Sequence, residues 1–540
     1  MIFPPKFYSD KKVLIIDDCE PIRSAVKAML QKIGFMKVSS ANNGIIAVQK
    51  CEDVAFDFIL SDFNLGEGKD GYQLFEELKY KELLSPICCF IMMSAESRRQ
   101  IVHGVIELQP DDYLLKPFTY KSLEKRCGRT YQKKSALIGV YEAIFEEDYE
   151  RAIRACEKAS RKHPEFAAIA LRIKGELLVK NKDFETAAKM YQAILTTRSF
   201  PWAELGSAIT KIKLGDWSEA EETLNQLAQL DETKVEALDW LGRLFIMREQ
   251  NIEAQEKLSH AARISPRNIH RQRALANLCI INGEIDNAVR AFSRIITASR
   301  FSVFDTPENY LNFARCLVDS CAESNKLDAA KQIGKAMEVL GSVGRRFYSE
   351  VYKPQELVIQ ARINATKGNL EQAREQLEEC EKIELEDDLT ADQCLDRAKA
   401  YFSTGNLSKS DEYMTQLDEL TDNDDLVSST LKVLINKEKE DHDQLREKIR
   451  ILNNEGLAAY QSGIFGRAME CFREAFIFMP SNASLALNLV QSIVKVGATD
   501  NESKHLAKKC TELIDQSELS ESNTRRYIAI QDELVDLLPS

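Results

Sequence analysis

Four short apolar runs in the first quarter of the chain each stop at a polar residue. They are Val13-Leu-Ile-Ile before Asp17-Asp18, Phe56-Asp-Phe-Ile-Leu-Ser before Asp62, Phe90-Ile-Met-Met before Ser94, and Tyr113-Leu-Leu before Lys116-Pro117. Short apolar runs bounded by turn signals read as buried strands. Amphipathic stretches of helical length separate them. Alternating strands and helices predict a doubly wound parallel sheet, whose ligands sit outside the carboxyl ends of the strands. Asp17, Asp18, Asp62, Ser94 and Lys116 should therefore converge on one crevice.

From about residue 137 the pattern changes. Strand signals vanish and paired amphipathic helices take over. A small residue recurs at Ala152, Ala187, Ala220, Ala254 and Ala288. Twelve residues before the last four stand Gly175, Ala208, Gly242 and Ala276, and four residues after the five stand Cys156, Tyr191, Leu224, Leu258 and Phe292. Small residues let the two helices of a hairpin approach closely, and the larger residue one turn later fills the gap to the next hairpin. One hairpin cannot bury its own apolar face, so neighbours must stack. Gly215-Asp-Trp and Gly283-Glu-Ile read as turns between helices, and Pro164 and Pro266 as helix stops. The spacing, close to 34 residues, resembles the tetratricopeptide repeat. The phase continues less regularly through Ala330, Ala373, Ser410 and Ala468, with longer intervals that imply insertions or longer helices.

The stretch 421–450 interrupts this array. It opens on Asp422-Asn-Asp-Asp and continues into a highly charged run around His442. It reads as a long solvated helix or a hinge, and His442 as an ordinary histidine rather than a phosphotransfer group. Trp202, Trp217 and Trp240 read as packing residues between hairpins, not as a ligand cage.

Composition narrows the class. The 540 residues are 44% hydrophobic and 29% charged, as in globular proteins. No apolar run approaches bilayer length, and the amino terminus lacks the apolar core of a signal peptide. Thirteen cysteines without metal-ligand spacing read as reduced, buried thiols, which suits the cytosol. Cys88 and Cys89, adjacent on a strand, should face opposite sides. The net charge is −13, and residues 1–130 carry 18 basic and 18 acidic residues, so the surplus lies in the array. An acidic array disfavours nucleic acid, whose binding depends on Lys and Arg. Lys121, Lys125, Arg126, Arg129, Lys133 and Lys134 read as a solvated helix face.

The five crevice residues carry recognisable chemistry. Clustered carboxylates repel unless a hard cation sits among them, and Mg²⁺ takes about six oxygens. A carboxylate can act as a phosphoryl-accepting nucleophile. A lysine supplies a point charge to a phosphoryl oxygen, and a serine hydroxyl donates a hydrogen bond to another.

Residues 1–130 resemble the receiver domain of two-component response regulators. The resemblance rests on Asp17-Asp18, Asp62, Asp70-Gly71 opening the third helix, Ser94-Ala95, and Tyr113 before Lys116-Pro117-Phe118. It implies a CheY-like (βα)5 fold with strand order 2-1-3-4-5. It implies that Asp17, Asp18, Asp62 and the Asn64 backbone carbonyl hold Mg²⁺, and that Asp62 accepts phosphate from a kinase phosphohistidine. Lys116, Ser94 and Ala95 would contact the phosphoryl group, and Ser94 and Tyr113 would move inward on phosphorylation, shifting 97–107 and 113–133. The loop Phe63-Asn-Leu-Gly-Glu-Gly-Lys-Asp-Gly departs from the pattern: it is about one residue longer and lacks the usual proline. That implies a looser loop, with Asn64 placed to orient an attacking water.

The expected organisation is therefore α/β followed by all-α: a receiver over 1–130, a tetratricopeptide α-solenoid over 137–420, the charged segment 421–450, and final repeats with capping helices over 451–540. The whole resembles bacterial receiver–tetratricopeptide response regulators. That resemblance implies a histidine kinase or phosphotransfer protein as phosphodonor and a protein or peptide ligand for the repeat groove. It implies no catalysis beyond the receiver's own phosphorylation and dephosphorylation, and neither nucleic acid nor membrane as partner. A homodimer stays open. So do a kinase-sequestering phosphate sink, a transcription regulator acting through the array, and an enzyme hidden in the array.

Overall fold

The computed structural model describes residues 3–95, 107–322, 325–383, 388–417, 420, 425–498, 500–517 and 519–537. The expected switch segment 97–107 lies outside them except for Glu107, as do residues 421–424 at the start of the charged stretch.

Five strands form a parallel sheet in the order β2-β1-β3-β4-β5. They are β1 (Lys12–Ile16), β2 (Lys37–Ala41), β3 (Phe58–Asp62), β4 (Cys89–Ser94) and β5 (Asp112–Leu115). The central strands are buried on both faces, which is why β1, β3 and β4 read as continuous apolar runs rather than alternating ones. Leu14, Ile16, Ile59, Phe90 and Met92 face one layer, with Phe75 and Leu78 of the Gly71–Tyr80 helix. Val13, Ile15, Phe58, Leu60, Ile91 and Met93 face the other, with Leu30 of the Glu20–Ile33 helix and Leu123 of the Tyr120–Ala136 helix. Cys88 and Cys89 fall in opposite layers, and all thirteen cysteines are free thiols, only Cys19 being exposed.

Beyond the sheet the described residues are helical. The chain divides into two compact units, Met1–Asn282 with Arg290–Asn309, and Gly283–Val289 with Tyr310–Ser540. In the first unit the helix Tyr120–Ala136 passes through the single residue Leu137 into Ile138–Phe145. The amides of Val140 and Tyr141 donate to the Leu137 carbonyl, so the receiver joins the array almost without a break. Arg126 pairs with Asp112, and Lys133 and Lys134 pair with Asp111. Those three cations are therefore structural, and only Lys121, Lys125 and Arg129 stay on an open face.

The phase residues do what the pattern demands. Ala152, Ala187, Ala220, Ala254 and Ala288 are fully buried. A Cβ on Gly175 would meet the Tyr191 hydroxyl at 2.2 Å, and one on Gly206 would meet the same ring at 2.2 Å. Tyr191 is thus wedged between two helices that only glycine lets approach. Gly242 under Leu258 repeats the arrangement. The tight turns need a left-handed residue, which Gly215 supplies in one hairpin and Lys182 and Glu249 in others. The three tryptophans are half-buried: Trp202 packs near Tyr191, Trp217 donates to the Ile212 carbonyl, and Trp240 lies under Arg243.

In the second unit Ala373, Ser410 and Ala468 are fully buried, but Ala330 is exposed. The buried small residue of the Lys326–Gly344 helix is Ala336, so the phase there is carried by a different alanine. The wide interval before Ala468 is filled by one 36-residue helix, Leu426–Gln461. The charged run therefore lies on a continuous helix, not a hinge. His442 stacks on Phe402 and Glu438 pairs with Lys399, so this face is packed rather than solvated. Among the described residues no helix is long and apolar enough to cross a membrane.

Candidate functional site

The parallel register brings the strand ends to one edge. Asp17 follows β1, Asp62 ends β3 opposite Met93, and Ser94 ends β4 opposite Leu115, one residue before Lys116. Lys116 Nζ donates to Asp17 Oδ2 at 2.7 Å and lies 2.9 Å from Asp62 Oδ1. Oxygens of Asp17, Asp18 and Asp62 lie within 4.8 Å of one another. Asp17 is fully buried, and Asp62 and Lys116 largely so.

The backbone holds this cluster in place. Asp17 Oδ1 accepts from the Cys19 amide at 2.9 Å, and Arg23 Nη1 donates to the carbonyls of Asp17 at 2.7 Å and Asp18 at 3.0 Å. Gly66, at φ +76°, places its backbone against Asp18, where a Cβ would lie 3.1 Å from Oδ2. Asp70 caps the next helix by accepting from the Gln73 amide, and Gln73 returns a bond to the Asp70 amide.

Electrostatics follow from burial. Asp62 is pushed up by burial, which outweighs its hydrogen bond to Lys116. Burial alone would lower Lys116, but its hydrogen bonds to Asp17 and Asp62 more than compensate and raise it. Asp17 and Asp62 share one ammonium and Asp18 lies beside them, leaving a surplus of negative charge among hard oxygen donors. That donor set fits a divalent cation.

The other expected residues sit around the cluster. Ser94 is buried, Ala95 is exposed, and Tyr113 is half-buried against the layer that contains Phe90 and Met92. The Asn64 side chain is exposed and accepts from the Gly66 amide at 3.3 Å, so it serves the loop's own turn.

Sequence reading missed the partners that Asp70 and Glu107 find in the array. Arg267 Nη1 lies 2.5 Å from Asp70 Oδ2, and Arg271 Nη2 lies 2.7 Å from Glu107 Oε1. Asp70 announced itself only as a helix cap, and nothing local marks Arg267 or Arg271.

This fold and this edge define a receiver domain joined to helical repeats. The response regulator receiver domain family matches residues 13–127, and the tetratricopeptide repeat family matches 140–201. Chemotaxis protein CheY-3 of Vibrio cholerae is 28% identical over 122 residues, 23% of this chain and 92% of that protein. The receiver domain of a sensor histidine kinase from Pseudomonas aeruginosa, solved with a magnesium ion in its active-site cleft, is 26% identical. It covers 23% of this chain and 98% of its own, at a TM-score of 0.21. A tetratricopeptide repeat protein from Parabacteroides merdae is 14% identical, with a TM-score of 0.31 over 56% of this chain and 98% of its own. The chain thus carries an amino-terminal receiver domain of the response regulator type, with tetratricopeptide repeats downstream.

Proposed function

We propose that this protein is a phosphorylation-controlled interaction protein in which Asp62 accepts a phosphoryl group and the repeat array is the output. The carrying observation is Lys116 Nζ bridging Asp17 and Asp62, with Asp18 within reach of both carboxylates. Asp17, Asp18, Asp62 and the Asn64 carbonyl would hold Mg²⁺, which supplies charge neutralisation at the phosphoryl oxygens.

An Asp62 carboxylate oxygen attacks the phosphorus of a phosphohistidine. The new O–P bond forms as the N–P bond breaks, and the imidazole leaves with the bonding pair and takes up a proton. Lys116, released from Asp62, pairs with a phosphoryl oxygen, and Ser94 donates to another. Hydrolysis of the acyl phosphate returns the carboxylate. This is the only chemistry assigned to the chain.

The donor is a histidine kinase or phosphotransfer protein, and the array binds a protein or peptide in the cytosol. Sequestration of a kinase by the array is the chief rival reading, ahead of action on transcription. The test is incubation of the full chain with Mg²⁺ and acetyl phosphate, followed by intact-mass measurement. One acid-labile phosphoryl adduct, lost in Asp62→Ala, is expected. No adduct on the folded wild-type chain would refute the assignment.

A further inference from the structure

Resting on that reading, we propose that the corner of the array at Ser265–Arg271 is a docking surface for this chain's own receiver. It restrains the acceptor site, so phosphorylation and release of the corner oppose one another.

The corner grips two places that lead directly to the site. The first is the loop leaving Asp62. Arg267 pairs with Asp70 and lies over the rings of Phe63 and Tyr72, with its guanidinium carbon 5.2 Å and 5.5 Å from their centroids. Phe63 is the residue next to the acceptor, and Asp70 is the cap of the helix seated on its carbonyl. Gln73 extends this contact by donating to the Arg300 carbonyl at 2.7 Å.

The second is the approach to β5, the strand that delivers Lys116. Glu107 accepts from three donors of the array corner. Its Oε1 accepts from Arg271 Nη2 and Asn268 Nδ2, and its Oε2 accepts from Ser265 Oγ at 2.6 Å. Arg271 is fixed for this task. It is 1% exposed, donates to Asp239 through Nε at 2.7 Å and Nη2 at 2.6 Å, and reaches the Ser265 carbonyl at 3.0 Å. A buried arginine with this many partners presents a rigid fork to an incoming carboxylate.

The contact is firm at these points and open between them. A cleft of about 470 Å³ lies beside the Arg267–Asp70 pair, lined by Gly68, Glu76, Arg294 and Arg300 among others. Tyr72, Ile269 and Phe301 also line this cleft, which separates the two sides between the charged pairs, so the pinning is concentrated in those pairs. A phosphoryl group on Asp62 needs room at the end of β3 and draws Lys116 off the carboxylate. Both changes displace elements that the corner pins. By linkage, whatever the pinning costs phosphorylation, phosphorylation costs the pinning by the same free energy.

The experiment uses the full chain, Arg267→Glu and Glu107→Gln, with Mg²⁺ alone or with beryllium fluoride as phosphoryl mimic. Hydrogen exchange is followed at 63–80 and 265–281, together with the initial rate of phosphorylation by acetyl phosphate. Added mimic should speed exchange of both segments in the wild type. Both variants should show faster exchange without the mimic and an initial phosphorylation rate raised about threefold or more. Folded variants with wild-type exchange and wild-type rates overturn the docking proposal while leaving Asp62 as acceptor. If no chain takes up phosphate, the acceptor reading and the claimed opposition both fall, and an exchange difference between wild type and variants then shows a purely structural contact.

Discussion

A Cβ on Gly71 would lie 2.1 Å from the carbonyl oxygen of Asp62. The helix after the acceptor loop therefore starts directly against the end of β3, and only glycine fits. Gly71→Ala should shift that helix start and move Asp62. Overpacking of this kind costs about 1–3 kcal/mol. Misplacement near 1 Å costs up to about a hundredfold in rate. Thermal unfolding and acetyl phosphate kinetics should show a lower Tm and slower phosphorylation. A variant as fast and as stable as wild type would remove the glycine from the argument.

Lys116→Met leaves Asp17, which is fully buried, and Asp62 without their shared ammonium. Breaking a buried pair costs about 3–5 kcal/mol. A divalent cation among the same oxygens would offset part of that loss. Adding Mg²⁺ should then raise the Tm of the variant more than that of wild type. Equal shifts would count against a cation site at these three carboxylates.

Glu76 is pushed up to about 7, first by burial and then by Asp70, with Arg267 acting against both. A carboxyl raised in the folded state stabilises it while protonated. That contribution is complete below the ordinary carboxylate range and is lost as pH rises through about 7. The wild type should therefore lose stability between about pH 5 and pH 8. Glu76→Gln should flatten that slope and be more stable at pH 8 by about 1 kcal/mol, the group's partial exposure trimming the full effect. Urea unfolding at several pH values checks the sign.

In the second unit, Arg362 joins Asp396 at 2.5 Å and Asp319, Arg315 Nε reaches Asp396 at 3.0 Å, and Lys399 links Asp319 to Glu438. This ties the Pro307–Asp319, Ser349–Lys367, Ala391–Ser403 and Leu426–Gln461 helices together. Arg362→Ala should cost about 3–5 kcal/mol, because Asp396 is nearly fully buried and loses a partner. Arg362→Ala with Asp396→Ala should recover part of the loss. Chemical denaturation of the pair of variants tests this coupling.

How much of this was legible in the chain differs by region. β1, β3 and β4 were legible because they are buried on both faces and so stand out as apolar runs ending in polar residues, whereas β2, Lys37-Val-Ser-Ser-Ala41 with an open face, left no such run. The 34-residue phase was legible because close helix approach leaves no choice but Gly or Ala, as at Gly175 beneath Tyr191 and Gly242 beneath Leu258. Ala330 misled because a helix of 19 residues offers several alanines, and only packing chose Ala336. Lys133, Lys134 and Glu438 looked solvated because a charge run carries no mark of the partner that will meet it.

The amino-acid order by itself determined the alternation of strands and helices, a parallel sheet, and the meeting of Asp17, Asp62 and Lys116 at its carboxyl edge. Backbone sterics, burial and the right-handed crossover leave few other ways to arrange such a pattern. Only the tertiary structure decided that Arg267 faces Asp70 and that Arg271 faces Glu107. Those pairs join residues more than a hundred and fifty positions apart, and no local pattern fixes which distant charges will meet.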